Sequence, residues 1–452
     1  MKKLWQKQSL NGDTWKLNEI VELFETKDDL LLDQRLLRSD VLGSMAHALM
    51  LEKIGIISPA ELKIAQEGLT KILKLNEDGK FFLNFGDEDI HTKIELFLTS
   101  EYGEVGKKIH TGRSRNDQVL TALRFYTKEQ LLFIWRELLN FLDSLLLFSK
   151  KYEFIAMPGY SHMQKAMPSS VGMWTGSFAE AIFDDLKIFK TVYDLNNQSP
   201  LGSAAGYGAP LDLDREFTAK LLGFKKVQVN PLYCQNSRGK NEAIILAALI
   251  NILHNINKFS SDVLLFTTSE FNYFKVSEEL CSGSSMLPQK KNIDIAELLR
   301  SKVHLVLGNY VQVASLSTNL ISGYNRDFQE TKKPLLQSLE TTLDSLKIAN
   351  ILVNNITPNK EALDGSLTPE IFAAHKAFEL VKKGKSFRDA YLLAESEVMD
   401  VNYSHEEILK KSIHIGGTGN LGLKDFLKQF AAEEKIFVLE NKNFLSIIEK
   451  LI

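Results

Sequence analysis

The sequence predicts an all-α protein built around a bundle of unusually long helices, and three observations support this class. The 452 residues contain only ten prolines, which leaves long windows free of helix breakers. Apolar residues recur at spacings of three and four, the pattern of amphipathic helices. Alternating patterns typical of half-buried strands are scarce. The segments with helical spacing are 112–150, 169–195, 240–272 and 293–322.

Three domains are expected along the chain. Residues 1–110 form an N-terminal helical domain, 111–357 a central long-helix bundle, and 358–452 a small C-terminal helical domain that follows the turn Thr357-Pro358-Asn359. Helices as long as those of the central domain bury their apolar stripes only against partners of similar length. We therefore expect the subunit to oligomerise.

Composition and charge exclude several classes of protein. The formal net charge of −3 provides no basic field for nucleic acid. Two cysteines, Cys234 and Cys281, are too few for a disulfide framework, which predicts a reducing, cytoplasmic location. The uncharged stretch 243–257 is shorter than the roughly 20 residues that span a bilayer, and polar residues interrupt 303–325 too often for a lipid-facing helix. We expect neither a membrane segment nor a nucleic-acid partner.

The first motif, His110–Val119, leads into the long helix at 112–150. A helix start carries partial positive charge, so Arg113 and Arg115 require a compensating anion there. With nearby hydroxyls, backbone N–H groups and the amide of Asn116, they would suit a ligand that carries a carboxylate. A solvated charged turn is the alternative.

Two further segments contain residues suited to acid and base chemistry. His162 lies in the turn segment Met157–Gln164 and can act as an acid or a base near neutral pH, although a lone histidine in a turn is often structural. In the polar segment Gly283–Asn292, Lys290 and the following helix start place positive potential beside Ser284. This potential could stabilise an alkoxide or a developing oxyanion. An ordinary flexible loop with capping serines is the alternative.

Together, the three segments resemble the signature regions of the fumarase/aspartase superfamily. The loop Gly283–Asn292 resembles the superfamily as a whole, whereas the segment His110–Gln118 and Gln289 resemble its argininosuccinate lyase branch. Further stretches extend the resemblance over about the whole chain. They are Asp33–Leu36, Gly43–His47, Glu88–His91 with Ile94-Glu95, Pro200–Ser203, Tyr324–Gln329 and Phe387-Arg388.

The resemblance implies both an architecture and a reaction. The implied architecture is an all-helical, three-domain homotetramer in which the central domains form a larger helical bundle and three subunits contribute to each active site. The implied reaction is the reversible elimination of fumarate from argininosuccinate to give arginine. It proceeds through an aci-carboxylate intermediate and uses neither a metal nor an organic cofactor.

By the same resemblance, Ser284 is the general base, His162 the general acid, Lys290 a cationic support for the base and Glu297 the carboxylate partner of His162. Donors to the two succinyl carboxylates are implied at Ser114, Arg115, Asn116, Ser161, Lys290 and Asn292. Recognition of the arginine part is implied at Asp89, Tyr324, Gln329 and Lys332. Ordinary polar contacts between helices remain the alternative for the second group.

Several positions depart from the family pattern. Ser161 stands where threonine is usual, Leu287 where methionine is usual, Ile293 where proline is usual, and Tyr391 where histidine often occurs. Arg238 is kept, but its acidic neighbours are absent from Gln235–Lys240, and Asp29 stands where a substrate-contacting serine is common. These departures keep open a fumarate-releasing lyase with a different succinyl-nitrogen substrate. A structural protein on this scaffold is a third hypothesis, which the presence of Ser284 and His162 disfavours.

Two other features are interpreted as structural. Gly417–Gly422 matches the GxGxxG pattern, but a dinucleotide site requires a preceding strand within a series of alternating strands and helices. A glycine-rich connection between helices is the better interpretation. Cys281 lies near Ser284 without an identifiable base, so we interpret it as a packed residue rather than a nucleophile.

Overall fold

The computed structural model describes residues 18–84, 87–396 and 404–452, and helices dominate these ranges. The N-terminal helices are α1 (Glu19–Lys53), α2 (Pro59–Glu77), α3 (Ile90–Tyr102) and α4 (Glu104–Lys108). The middle helices are α5 (Arg115–Lys151), α6 (Val171–Asn196), α7 (Arg215–Leu221), α8 (Pro231–Asn236), α9 (Lys240–Phe266), α10 (Asp294–Leu316) and α11 (Lys332–Asn354). The last helices are α12 (Lys360–Ser366), α13 (Ala373–Lys382), α14 (Phe387–Ser396), α15 (His405–Leu409) and α16 (Leu423–Leu451).

Short strands pair into small two-stranded sheets between these helices. β1 (Ala156–Ser161) and β2 (Gln164–Ser170) form an antiparallel hairpin. β3 (Gln198–Ser199) and β4 (Lys226–Val227) are parallel, whereas β5 (Phe274–Val276) and β6 (Ile356–Pro358) are antiparallel. Short 3₁₀ helices occur at Glu278–Leu280, Arg326–Thr331 and Pro369–Phe372. The predicted all-α class is confirmed.

The four segments with helical spacing correspond to α5, α6, α9 and α10, but two of these helices end earlier than predicted. After α9, the hydroxyls of Thr267 and Thr268 donate to the carbonyls of Val263 and Leu265. After α10, the hydroxyl of Thr318 donates to the carbonyl of Ser315 at 2.7 Å. Such bonds from side chain to backbone compete with continued helix, which a count of apolar spacings does not detect.

Helix α5 is central to the core, and the C-terminal helix α16 packs against it. The indole ring of Trp135 on α5 contacts the rings of Phe189 and Tyr193 on α6 and of Phe437 on α16, with centroids 5.6–6.3 Å apart. The last helix therefore shares the core of the central bundle. The division into 1–110, 111–357 and 358–452 stays a prediction, and residues 1–17 of its first part lie outside the described residues.

Within the described ranges, α9 is the helix that is long and apolar enough to cross a membrane by length and composition. It packs against α6, α10 and α11, and 56% of its most apolar window is buried. These contacts make α9 a core helix of the bundle, because its apolar faces are covered by other helices.

Candidate active site

Capping bonds fix the start of α5. The Ser114 hydroxyl accepts the N–H of Asn116 at 3.3 Å, and one carboxylate oxygen of Asp117 accepts the N–H of Ser114 at 2.9 Å. The other oxygen of Asp117 accepts the N–H groups of Gly202 and Ala204, each at 2.9 Å. Burial raises the pKa of Asp117 to about 6. This capping box fixes the positions of Arg115 and Asn116 in the first helical turn.

The two arginines of this motif have anionic or polar partners within the chain. Arg115 forms ion pairs with Asp89 at 2.5 Å and Glu88 at 3.5 Å, and Arg113 donates to the hydroxyl of Ser44. Asp89 is also the N-cap of α3. Although burial acts to raise it, the neighbouring charges of His91 and Arg115 hold the pKa of Asp89 below its usual value. The compensating anion predicted for Arg115 is thus a buried carboxylate.

A narrow pocket adjoins the first turn of α5 and is lined by segments that are distant in sequence. Five predicted substrate-binding residues line it, namely Arg115, Asn116, Tyr324, Gln329 and Lys332. The remaining lining residues are Asp29, Asp33, Val119, Leu123, Arg238 and Phe328. Asp89 is linked to this pocket through its ion pair with Arg115.

Lys332 is buried in the pocket between two carboxylates of α1. Its Nζ donates to Oδ1 of Asp29 at 2.9 Å and to Oδ1 of Asp33 at 2.5 Å. Burial acts to lower the pKa of Lys332, but the two carboxylates outweigh it and raise this pKa. Burial also raises the pKa of Asp29. Asp33 is absent from the predicted site, although its spacing of four residues from Asp29 places both on one helix face.

Arg238 holds a fixed position in the same pocket, and none of the described acidic residues is its hydrogen-bond partner. Its Nε donates to Oε1 of Gln235 at 3.0 Å, and its Nη2 donates to the carbonyl of Asn116 at 2.6 Å. The guanidinium lies over the ring of Tyr324, 5.1 Å from its centroid. An amide, a carbonyl and an aromatic face thus surround this arginine in place of the acidic neighbours of the family pattern. Arg238 is a further pocket residue that the predicted site did not include.

His162 lies at the tip of the hairpin formed by β1 and β2. His162 and Met163 form its two-residue turn with φ angles of 51° and 62°, a left-handed conformation that is uncommon outside glycine. Ser161 pairs with Gln164 at the base of the turn, and both Ser161 and His162 are exposed. A strained, exposed turn therefore carries the predicted general acid.

Ser284 lies in a loop whose base is closed by the backbones of Ser282 and Asn292, with two hydrogen bonds of 2.9 Å. The Ser284 Oγ accepts the N–H of Met286 at 3.3 Å and the N–H of Leu287 at 3.1 Å. Two backbone donors directed at one oxygen favour negative charge on it. This arrangement would stabilise an alkoxide at Ser284.

The structure does not bring all predicted site residues together within one chain. Ser284, His162, Lys290 and Glu297 do not line the pocket next to α5, and neither do Ser114, Ser161 and Asn292. In the described part of the chain, no hydrogen bond or ion pair joins His162 to Glu297 or to Ser284. Lys290 and Glu297 are exposed. Five binding candidates thus converge on one pocket, whereas no contact among the described residues joins the candidate general acid to the candidate general base.

The two features interpreted as structural have structural roles. Gly417 and Gly419 lie in the connection between α15 and α16, and Gly422 is the N-cap of α16 with a φ of 69°. The Sγ of Cys281 donates to the carbonyl of Ser277, and burial raises the pKa of this thiol. A raised thiol pKa disfavours the nucleophilic thiolate.

Comparisons of sequence identify the family. A family model described as a lyase matches residues 19–308. The argininosuccinate lyase of Thermotoga neapolitana is 45% identical over 389 residues, which cover 86% of this chain and 96% of that protein. The chain belongs to the argininosuccinate lyase family. The argininosuccinate lyase of Phocaeicola vulgatus is 38% identical over 419 residues, covering 93% of this chain and 92% of that one.

Solved structures with the same fold include other lyases and a fumarase. EDDS lyase in complex with formate has a TM-score of 0.77 at 20% identity, covering 96% of this chain and 94% of its own. A class II fumarase from Schistosoma mansoni has a TM-score of 0.72 at 16% identity, covering 88% of this chain and 98% of its own. The all-α fumarase/aspartase fold implied by the sequence resemblance is therefore confirmed.

Proposed function

We propose that this protein is an argininosuccinate lyase, which eliminates fumarate from argininosuccinate and releases arginine, and so acts in arginine biosynthesis. The observation that carries the proposal is the similarity to curated argininosuccinate lyases, at 38–45% identity over 86–93% of the chain. The location is the cytoplasm, in keeping with two cysteines that are both unbonded.

Ser284 is the general base of the proposed reaction. It acts as an alkoxide, after its own proton has passed to solvent. The alkoxide removes a weakly acidic C–H proton next to a carboxylate, which restores the hydroxyl and leaves the extra negative charge on an aci-carboxylate. The N–H groups of Met286 and Leu287 support this role, because they stabilise charge on the Ser284 oxygen before the proton is transferred. Lys290 adds positive charge in the same loop and offers a donor to a succinyl carboxylate.

His162 is the general acid that protonates the departing guanidino nitrogen, with Glu297 as its carboxylate partner. We assign the other candidates to the two parts of the substrate. Arg115 and Asn116, with Ser114, Ser161 and Asn292, bind the succinyl carboxylates. The arginine part of the substrate lies towards Tyr324, Gln329, Lys332 and Asp89.

The catalytic residues come from different subunits of a homotetramer, with three subunits contributing to each site. Helix α10 supports this assembly, because it carries four large apolar side chains among the polar residues of its exposed side. Its exposed apolar residues are Leu298, Leu305, Leu307 and Val311. Packing of α10 against other subunits would cover these side chains and bring further loops to each hairpin.

A substrate panel tests the activity. Purified protein is incubated with argininosuccinate, adenylosuccinate, malate and aspartate, and fumarate is followed by its ultraviolet absorbance. A Ser284→Ala preparation controls for contaminating enzymes. Fumarate from argininosuccinate alone supports the proposal, and fumarate from another compound reassigns the substrate. No fumarate from any of the four favours a structural protein.

A mixing experiment tests the shared site. Ser284→Ala and His162→Asn proteins are each expected to be nearly inactive, because each lacks one catalytic group. After joint unfolding and refolding, mixed tetramers would contain some sites with both groups intact and would regain activity. A monomeric mass in solution, or mixtures no more active than their parents, would contradict sites built from several subunits.

A further inference from the structure

The pocket next to α5 contains two groups of opposite charge that the protein leaves partly unused. Oδ1 of Asp29 accepts a hydrogen bond from Lys332, but the described residues supply no donor to its Oδ2. Arg238 uses Nε and Nη2, and the same residues supply no acceptor to its Nη1. Both side chains line one pocket, and their residues are only 7% and 5% exposed. Buried charges with free hydrogen-bonding capacity point to a ligand.

The other charges of the pocket are already neutralised. Asp33 accepts from Lys332 with one oxygen and from the N–H of Ile90 with the other. Lys332 lies between two carboxylates, and Arg115 is held by Asp89 and Glu88. The cationic charge of Lys332 is therefore balanced by the protein before any substrate carboxylate arrives.

We propose that Asp29 and Arg238 are the specificity-determining pair for the α-amino-acid end of the substrate. Asp29 accepts the α-ammonium through Oδ2, and Arg238 donates to the α-carboxylate through Nη1. This assignment rests on the proposed function, because it supplies the arginine part as the ligand. It gives the cationic role at that end to Arg238, which was not among the residues implied for recognition of the arginine part.

The geometry of Arg238 prepares it for this role. Gln235 and Asn116 hold two of its three nitrogens, and the ring of Tyr324 lies against its guanidinium plane. Since the side chain is already fixed, binding a carboxylate costs little further conformational entropy. Asp29 is similarly fixed by Lys332. In a buried pocket, hydrogen bonds between charged groups are strong.

The test compares three ligands as inhibitors of argininosuccinate cleavage. Arginine carries both groups, agmatine lacks the carboxylate, and 5-guanidinopentanoate lacks the ammonium. In Asp29→Asn, the preference for arginine over 5-guanidinopentanoate, measured as the ratio of their inhibition constants, should fall roughly 10- to 100-fold. This factor corresponds to the contribution of one hydrogen bond to a charged group. The preference of this variant for arginine over agmatine should remain. In Arg238→Gln, the preference for arginine over agmatine should fall, whereas the preference for arginine over 5-guanidinopentanoate should remain.

Asp28→Asn is the matched control, because Asp28 is the neighbouring residue, is exposed, and pairs with Lys333 outside the pocket. It should leave both preferences unchanged. An Asp29→Asn protein that weakens all three ligands equally, or that keeps both preferences, would overturn the assignment. If Arg238→Gln fails to fold by circular dichroism, Asp29→Asn still decides the outcome.

The outcome can be separated from that of the proposed function. If the wild-type protein does not cleave argininosuccinate, the proposed function fails, whatever the pocket binds. Calorimetric titration of arginine, agmatine and 5-guanidinopentanoate then measures the same preferences without turnover. Wild-type protein that cleaves argininosuccinate but does not distinguish the three ligands would refute the Asp29 and Arg238 assignment alone.

Discussion

Lys128 on α5 provides a quantitative test of the core, because it is a charged side chain buried among aromatic rings. Its Nζ donates to Oδ1 of Asn197 at 2.9 Å and to the carbonyl of Gly223. The rings of Tyr193, Phe224 and Phe444 lie 5.2–5.9 Å from it. Burial lowers the pKa of Lys128 to about 8, against the opposing influence of Glu440 and Asp194.

This lowered pKa makes the free energy of unfolding depend on pH. The unfolded chain holds the lysine proton until about pH 10.5, whereas the folded protein releases it near pH 8. Between these values the unfolded state binds more protons, so stability rises with pH. At 1.36 kcal/mol per pKa unit, the full difference between the pKa values of Lys128 in the unfolded and folded states corresponds to about 3 kcal/mol. From pH 7 to pH 10 the gain should be about 2.5 kcal/mol.

Lys128→Met removes the titrating group and keeps an unbranched side chain of similar length. Urea unfolding at pH 7, 8, 9 and 10, at one protein concentration, gives the free energy of unfolding for both proteins. The wild type should gain about 2.5 kcal/mol relative to the variant over this range. Lys220→Met, at an exposed position on α7, should retain the wild-type pH dependence. Parallel pH profiles for wild type and Lys128→Met would refute the reasoning.

Two further predictions concern catalysis and packing. Ser284→Ala and His162→Asn should each lower kcat by about 10²- to 10⁴-fold while the circular dichroism spectrum is unchanged, and a near-native kcat would remove the assigned role. Gly106→Ala should lower the free energy of unfolding in urea by more than about 2 kcal/mol, because its Cβ would lie 2.4 Å from backbone atoms of Leu98 and Thr99. In the control Gly365→Ala on α12, the added Cβ would have no atom within 4 Å, so the free energy of unfolding should change by less than about 1 kcal/mol. Equal losses of stability in the two variants would contradict the packing argument.

The long helices were predictable because their burial is periodic in sequence, as in the stripe of leucines and Trp135 along α5. The hairpin that carries His162 was not predictable in this way. Its turn adopts φ angles of 51° and 62° at His162 and Met163, where glycine or asparagine would have indicated a two-residue turn. Neither residue type is typical of this conformation, so the strand pair is visible only in the structure.

The pocket illustrates what sequence spacing leaves undetermined. The need for an anion near Arg115 follows from helix electrostatics, but its identity as Asp89 depends on how α3 packs against α5. Asp29 and Lys332 are 303 residues apart, and no local pattern relates them. Their contact decides whether Lys332 is a free cation or a neutralised one. The chemistry of the site was therefore predictable by residue type, whereas its charge balance was not.

The binding and catalytic candidates differ in what holds them in place. Asp29, Lys332 and Arg238 are buried and fixed by contacts within one chain, whereas His162 lies on an exposed turn and Lys290 is exposed within the loop that carries Ser284. The pocket is thus lined by residues of a single subunit, whereas the proposed shared site requires another copy to supply either the general acid or the general base. Conditions that separate the subunits without unfolding them should consequently abolish turnover before they abolish arginine binding. Simultaneous loss of both would mean that the pocket also depends on assembly.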